Sequence, residues 1–192
     1  MKQLYGFGDS LVRGHTLGIG MLDSFADARD LQLTKFAQNG ATVIPTHPDD
    51  HTWPSDHHVA DISTQIVHAP TIAPDLIIFD GLVNDAAQYL STGLCTLRDP
   101  DDPRNFHDAF SQVCTQLQAK YPYTPIYYIS VHRMPLLSHF DNHLAQHLRG
   151  VTRVLCAQYQ SPLIDITDCN TNDEALAQKY SYNGPEAPDH GD

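Results

Sequence analysis

The sequence predicts an α/β protein with the architecture of a three-layer α/β/α sandwich with a central parallel sheet. Two observations predict this fold class. Short apolar segments typical of buried strands recur along the chain, and longer segments with helical periodicity separate them. Strands that alternate with helices pair in parallel, and the helices then cover both faces of the sheet. The length of 192 residues favours a single domain spanning residues 1–192.

Five segments have the composition of short strands. The clearest is DLIIFD, an apolar run that begins directly after Pro74 and ends before Gly81. The segment LQLTKF alternates apolar and polar residues, as a strand with one polar face does. The predicted strands are residues 3–7, 31–36, 75–80, 125–131 and 161–166. Because parallel sheets bind ligands beyond the carboxyl ends of their strands, we expect functional residues in the loops that follow them.

Helical periodicity identifies the segments between the strands. Residues 106–120 place apolar side chains on one face, and Pro122 ends this helix. For the helix before the third strand, Ser55 is the predicted N-cap. The predicted helices are residues 19–30, 57–67, 106–120, 138–159 and 173–180.

The composition excludes several classes of partner. The net charge is −12, from 23 acidic and 11 basic residues, so the surface repels nucleic-acid backbones and anionic membranes. No apolar run is long enough to span a membrane, and the first residues do not resemble a signal peptide. The four cysteines form no C-x-x-C pair, so no zinc or redox motif is present. We therefore expect a cytoplasmic protein that binds neither nucleic acid nor membranes.

The first predicted strand runs directly into Gly8-Asp9-Ser10, and three interpretations of this stretch compete. All three residue types are common in turns. Gly6 and Gly8 also match the start of the G-x-G-x-x-G phosphate loop, but Leu11 stands where its third glycine belongs. In the third interpretation Ser10 is a nucleophile, which requires a base and donors that stabilise an oxyanion.

Two loops at the same edge of the predicted sheet offer such donors. Gly40 follows the second strand, and a glycine leaves its backbone N–H open to a ligand because no Cβ shields it. Asn84 follows the third strand, and its side-chain amide donates hydrogen bonds without carrying a charge. Asp9 is interpreted as an organiser of the loop, through hydrogen bonds to backbone N–H groups.

The stretch Gly8-Asp9-Ser10-Leu11, Gly40 and the pair Asn84-Asp85, in this order, resemble the first three sequence blocks of the GDSL, or SGNH, hydrolase family. The resemblance implies a flavodoxin-like α/β/α sandwich and hydrolysis of esters, thioesters or sugar acetyl groups without a cofactor. It implies that Ser10 is the nucleophile and that its N–H is the first oxyanion donor. Gly40 would supply the second donor and the Asn84 amide the third.

Two positions depart from the family pattern. The family usually has G-x-N-D, whereas here the glycine stands one residue further back, in Gly81-Leu82-Val83-Asn84. This shift affects how far the Asn84 amide reaches. The family often has an asparagine five residues before the glycine of the second block, and this chain has Lys35.

The last block of the family, D-x-x-H, supplies the base and the carboxylate that orients it. None of the twelve histidines follows an aspartate by three residues. We expect Asp192 to be the first residue of this block, with its histidine and the final helix beyond the printed chain. Alternatively, His190 is the base, oriented by Asp189 or Asp192. A third possibility is an inert chain, because an unassisted serine loses several orders of magnitude in rate.

The other histidines do not predict a metal site. His139, His143 and His147 lie one helical turn apart, but no cysteine or fixed carboxylate completes a ligand set, and a solvated face is the simpler interpretation. The histidines at 47, 51, 57 and 58 lie either in a polar loop, which is the simpler interpretation, or in a wall of the acyl or alcohol pocket. His132 and Arg133 either bind a polar part of the substrate or lie near the start of the next helix.

The sequence therefore predicts a serine esterase that cleaves small acyl esters through an acyl-enzyme, with neither metal nor cofactor. The expected site residues are Ser10 and Asp192 for catalysis, with Ser10, Gly40 and Asn84 forming the oxyanion hole. The competing hypothesis is a flavodoxin-like module that binds a nucleotide or sugar without a covalent step. The sequence does not predict an oligomeric state.

Overall fold

Five parallel strands form one sheet in the order β2-β1-β3-β4-β5. The structure is a computed structural model, and it describes residues 1–14, 18–45, 61–86, 105–130 and 142–166, with side chains in the last range from residue 147 onward. In chain order the elements are β1 (Lys2–Phe7), α1 (Ser10–Arg13), α2 (Met21–Arg29), β2 (Leu31–Lys35), α3 (Ile62–His68), β3 (Leu76–Phe79), α4 (Val83–Asp85), α5 (Phe106–Lys120), β4 (Ile126–Ile129), α6 (Asn142–Gln158) and β5 (Leu163–Ile164). The predicted fold class and the five predicted strands are confirmed.

The strands present alternate side chains to two separate layers of helices. Tyr5 and Phe7 of β1 pack in the larger apolar cluster, together with α3, α5 and α6. Leu4 points to the opposite face, where it packs with Val12 of α1 and Leu22 of α2. This alternation is the period of two that a strand imposes on its side chains. Helices on both faces of the sheet make the three layers that the sequence predicts.

The connections make one reversal of direction across the sheet. From β1 the chain moves outward to the edge strand β2, then returns past β1 to β3 and continues outward to β4 and β5. The loops after β1 and β3 therefore leave neighbouring strands toward opposite sides. Such a reversal point is where open parallel sheets form a crevice at the carboxyl ends of their strands.

Helix starts differ from the sequence prediction at two places. The helix predicted over 57–67 begins at Ile62, because the Asp61 carboxylate accepts the Thr64 N–H at 2.7 Å and caps it. The predicted cap, Ser55, lies outside the described residues. The helix predicted from residue 19 begins at Met21, where Asp23 accepts the Gly20 N–H. The predicted helix over 173–180 also lies outside the described part of the chain.

A short helix, α1, begins directly at Ser10 and was not predicted. Its four residues are too few to produce a periodic pattern in the sequence. The helix ends at Gly14, which adopts a φ of 88° in the left-handed region. None of the helices in the described ranges is long and apolar enough to cross a membrane.

A lysine joins two helices of the larger layer, α5 and α3. At the end of α5, the Lys120 ammonium donates to the carbonyl oxygens of Ile66, Val67 and Ala69, at 2.6, 3.1 and 2.5 Å. These carbonyls belong to the last turn of α3 and its cap, where intrahelical donors are missing. Lys120, at the end of α5, therefore donates hydrogen bonds to carbonyl groups that have no intrahelical donor at the end of α3.

We expect Lys120→Met to lower the free energy of unfolding by about 1–3 kcal/mol, since it keeps the apolar stem and removes the charged donor. Lys2→Met, at an exposed position of β1, is the matched control and should change stability by less than about 0.5 kcal/mol. Urea unfolding of both variants measures the difference. Equal stabilities would contradict the assigned role of Lys120.

Candidate active site

Ser10 lies where β1 gives way to α1, at the carboxyl edge of the sheet. Its neighbour Asp9 is the N-cap of α1, and the Asp9 Oδ1 atom accepts the Leu11 N–H at 2.9 Å. This hydrogen bond confirms the prediction that Asp9 organises the loop. The Ser10 side chain is half-buried, whereas Asp9 is almost fully buried. The turn therefore presents the serine at the surface and holds its neighbour in the interior.

Gly8 is held on both sides by buried polar groups. On one side, Gln65 of α3 accepts the Gly8 N–H at 3.0 Å and donates to the Gly8 carbonyl oxygen at 2.9 Å. On the other side, the Asp80 carboxyl group occupies the space where a side chain at position 8 would lie. A Cβ at Gly8 would lie 1.5 Å from Asp80 Oδ1, and the φ of +145° also favours glycine. The first residue of the Gly-Asp-Ser stretch is therefore fixed by packing.

Asn84 reaches the loops after β1 and β2. Its Nδ2 atom donates to Asp9 Oδ2 at 3.1 Å and to the Ala41 carbonyl oxygen at 3.0 Å. The glycine that the family pattern places two residues before the asparagine stands one residue further back, at Gly81, and the short helix α4 (Val83–Asp85) follows. The shift therefore does not keep Asn84 from the Gly-Asp-Ser loop.

Gly40 lies in the loop after β2, next to the residue that accepts the Asn84 hydrogen bond. It is half-buried and has a φ of +80°, a conformation that favours glycine. The segment that follows is tied to the loop after β3, since the Asp85 carboxylate accepts the N–H groups of Val43 at 3.0 Å and Ile44 at 2.7 Å. The structure thus brings the loops of Ser10, Gly40 and Asn84 together.

Three buried carboxyl groups surround this junction. Burial raises the pKa of Asp9. Hydrogen bonding to the Leu11 N–H and to the side chain of Asp80 offsets part of this rise. Burial, and then the adjacent charge of Asp9, raise the pKa of Asp80 well above its usual range. Burial raises the pKa of Asp85 to about 7, although the N–H groups of Ile44 and Val43 favour its charged form. The protein interior next to the serine therefore contains three carboxyl groups whose neutral forms are favoured by burial.

Sequence reasoning missed Asp80 and Gln65, and it gave Asp85 no role. The position of Asp80 could have indicated a role, because a carboxyl group directly after a buried apolar strand is uncommon and is stable there only with hydrogen-bond partners. Gln65 gave no such signal, since a glutamine in an amphipathic helix is usually exposed. The tight space at Gly8 arises only when β1, β3 and α3 are packed together.

Lys35, which stands at the position of the family asparagine, has a structural role. Its ammonium donates to the carbonyl oxygens of Arg13 and Gly18 and to the Asp23 carboxylate. It therefore joins the end of α1 to the start of α2 from the neighbouring strand.

Several predicted residues lie outside the described part of the chain. These are Asp192, Asp189 and His190, and also His132, Arg133, His139 and the histidines at 47, 51, 57 and 58. The side chain of His143 is likewise not described, and His147 is exposed on α6. No group of three metal-ligating side chains occurs among the residues that the structure describes.

Solved structures similar to this chain share its fold. No family model matches the sequence, and no curated protein matches it. A structure from Lactobacillus plantarum is 18% identical, with a TM-score of 0.68 over 93% of this chain and 83% of that one. A GDSL-like lipase from Bacteroides uniformis is 20% identical, with a TM-score of 0.59 over 91% and 87%. Est24, a carbohydrate acetylesterase from Sinorhizobium meliloti, is 13% identical, with a TM-score of 0.60 over 90% and 87%.

The fold is therefore that of the GDSL, or SGNH, hydrolases. Lipases and carbohydrate esterases are among the proteins that share it with this chain. The similarity supports a hydrolase of the esterase type at the level of the fold.

The raised pKa of Asp85 predicts how stability depends on pH. Between its ordinary value of 3.8 and about 7, the folded protein binds more protons at Asp85 than the unfolded chain does. The free energy of unfolding should therefore fall as the pH rises through this window, by up to about 4 kcal/mol from this group. Urea unfolding across the window measures the slope.

Asp85→Asn should flatten this slope and cost about 1–3 kcal/mol near the acidic end, because an amide cannot accept both backbone N–H groups. Asp27→Asn, at an exposed position of α2, is the matched control and should leave the slope unchanged. A slope in Asp85→Asn as steep as in the unaltered protein would contradict the assignment.

Proposed function

We propose that this protein is a serine hydrolase that cleaves small acyl esters through an acyl-enzyme, with Ser10 as the nucleophile. The observation that carries the proposal is the pair of hydrogen bonds from the Asn84 amide. One reaches Asp9, the neighbour of Ser10, and the other reaches Ala41, the neighbour of Gly40. These contacts support the proposal because they join the loops of Ser10, Gly40 and Asn84 at one edge of the sheet.

The acyl group would bind with its carbonyl carbon facing Ser10 Oγ. A histidine base takes the hydroxyl proton, Oγ bonds to the carbonyl carbon, and the carbonyl oxygen becomes an oxyanion. Collapse of the tetrahedral intermediate expels the alcohol, which receives the proton from the base. Water then attacks the acyl-enzyme with help from the same base, which releases the acid and restores the serine.

The oxyanion would be bound by the N–H groups of Ser10 and Gly40 and by the Asn84 amide. Both hydrogen atoms of that amide are already donated, to Asp9 and to Ala41. The oxyanion therefore takes the place of one acceptor, and the carbonyl oxygen of Ala41 is the weaker one because it is neutral. The hydrogen bond to Asp9 then keeps the amide oriented while its other hydrogen binds the oxyanion.

The base comes from outside the described residues. Of the described histidines, His68 contacts the Thr64 carbonyl oxygen, and His107 contacts Asp108. Both contacts are made within α3 and α5, and His147 is exposed on α6. Within the chain, His190 is the candidate base that the sequence analysis offers, and it lies outside the described residues.

The electrostatics of the site favour a neutral substrate. The protein carries a net charge of −12, and the buried carboxylate of Asp9 lies beside the serine. An anionic substrate would be repelled both by the net charge of the protein and by the charge beside the serine, whereas an uncharged ester would not. A lipase and a carbohydrate acetylesterase of the same fold are consistent with an acyl ester substrate.

Ser10→Ala should abolish hydrolysis of a p-nitrophenyl ester, because the acyl-enzyme can no longer form. A fluorophosphonate probe should label the unaltered protein and fail to label this variant. Ser63→Ala removes a hydroxyl that bonds to Gln116 between α3 and α5, and it is the matched control. Turnover or labelling that survives in Ser10→Ala would overturn the assignment of Ser10 as the nucleophile.

Asn84→Ala should lower kcat by about 100- to 1,000-fold with a smaller change in KM, as expected for a donor that acts mainly in the transition state. Gln112→Ala, at an exposed position of α5, is the control and should change neither constant. A loss confined to KM would show that Asn84 binds the substrate and does not stabilise the oxyanion.

A further inference from the structure

Asp9 and Asp80 form a buried pair directly below the proposed nucleophile. The two residues are only 1% and 3% exposed, and Asp80 Oδ1 accepts the Asp9 N–H at 3.0 Å. Two carboxylates this deeply buried and this close repel each other, so the pair is more stable when one of the two groups carries a proton.

The other contacts of the pair show which group carries the proton. Each oxygen of Asp9 already accepts an N–H, Oδ1 from Leu11 and Oδ2 from Asn84, and such bonds favour the ionised form. Asp80 Oδ2 is buried, and no donor among the described residues reaches it. A charge there would be desolvated without compensation, whereas a hydroxyl at Oδ2 can donate to the carboxylate of Asp9.

Three cations of the described residues are bound to other groups. Lys35 is bound to Asp23, Lys120 to the end of α3, and Arg153 to Asp165. The titratable groups that face the pair electrostatically are Asp85 and the buried phenol of Tyr128, and neither brings a positive charge. A second negative charge at Asp80 would therefore be repelled by the charge of Asp9.

Packing leaves the Asp80 carboxyl group little freedom to move away. It lies against the backbone of Gly8, where a Cβ would approach Oδ1 to 1.5 Å. The Gly8 backbone is held from the other side by two hydrogen bonds to Gln65. Both partners of the carboxyl pair are thus fixed by neighbouring elements.

We propose that Asp80 is a positioning residue that keeps a proton on Oδ2 and donates it to the Asp9 carboxylate. Held in this way, Asp9 fixes the Asn84 amide on one side and the turn of Ser10 on the other. Ionisation of Asp80 would place two charges side by side and turn the Asp9 carboxylate away from these partners. The catalytic part of this inference rests on the proposed function, whereas the protonation of Asp80 does not.

Infrared difference spectroscopy tests the proton without using activity. The difference between the spectra of the unaltered protein and of Asp80→Asn should contain the carbonyl stretch of a protonated carboxyl group at neutral pH. The same spectra in a Ser10→Ala background keep the test independent of turnover. Absence of this band from the difference spectrum would overturn the proposal. Asp9→Asn is a second variant, and it should weaken the band because the charge that holds the proton is gone.

Kinetics test the positioning role. An asparagine at position 80 accepts the Asp9 N–H and donates to the Asp9 carboxylate as the neutral acid does, so Asp80→Asn should keep kcat within about 3-fold. Asp80→Ala supplies neither bond and should lose about 100-fold in kcat with little change in KM. The alkaline fall in kcat that ionisation of Asp80 produces should be absent from Asp80→Asn.

Equal losses in the asparagine and alanine variants would show that Asp80 acts as a charged group, and the proposal would be wrong. If Ser10→Ala retained turnover while the infrared band was present, the proposed function would fail and the protonated pair would stand. Urea unfolding of each variant distinguishes a loss of kcat from a loss of the folded protein.

Discussion

The close approach of the Asp80 carboxyl group to the Gly8 backbone is the constraint on which the site depends. It requires a residue without a Cβ at the end of β1, because any side chain there would overlap Asp80 Oδ1. The approach joins the ends of two hydrogen-bonded strands through the Asp9 N–H. The loop that carries Ser10 is then held by the sheet itself and by Gln65, and does not depend on its own turn propensity.

The fold supplies the place for this junction. The chain reverses direction between β1 and β3, so their loops diverge and leave a crevice at the carboxyl edge of the sheet. Hydrogen bonds that cross this crevice are made by side chains, since the strands have ended. Asn84 and Asp85 both come from the loop after β3, and each bonds to the loop after β2. The short helix α4 thus connects the loops after β1 and β2 through its side chains.

Buried carboxyl groups at this edge carry an energetic cost that the rest of the structure offsets. Asp85 is compensated by two backbone N–H groups, and Asp9 by Leu11 and Asn84. Among the described residues, one N–H reaches Asp80 Oδ1 and no donor reaches Oδ2. Burial therefore favours the neutral form of Asp80 more strongly than that of Asp9 or Asp85. Strain and unmatched polarity of this kind are commonly concentrated at functional sites.

The sequence alone determined the fold class, the order of the strands along the chain and the positions of Ser10 and Asn84 at strand ends, because apolar periodicity and turn residues are local signals. It misplaced the start of α3 and missed α1, where a capping carboxylate and a four-residue helix leave no periodic trace. Only the tertiary structure decided that Asp80 fills the space at Gly8 and that Asn84 bonds to Asp9. These contacts join residues far apart in the sequence, and their energy depends on the burial and distance that packing creates.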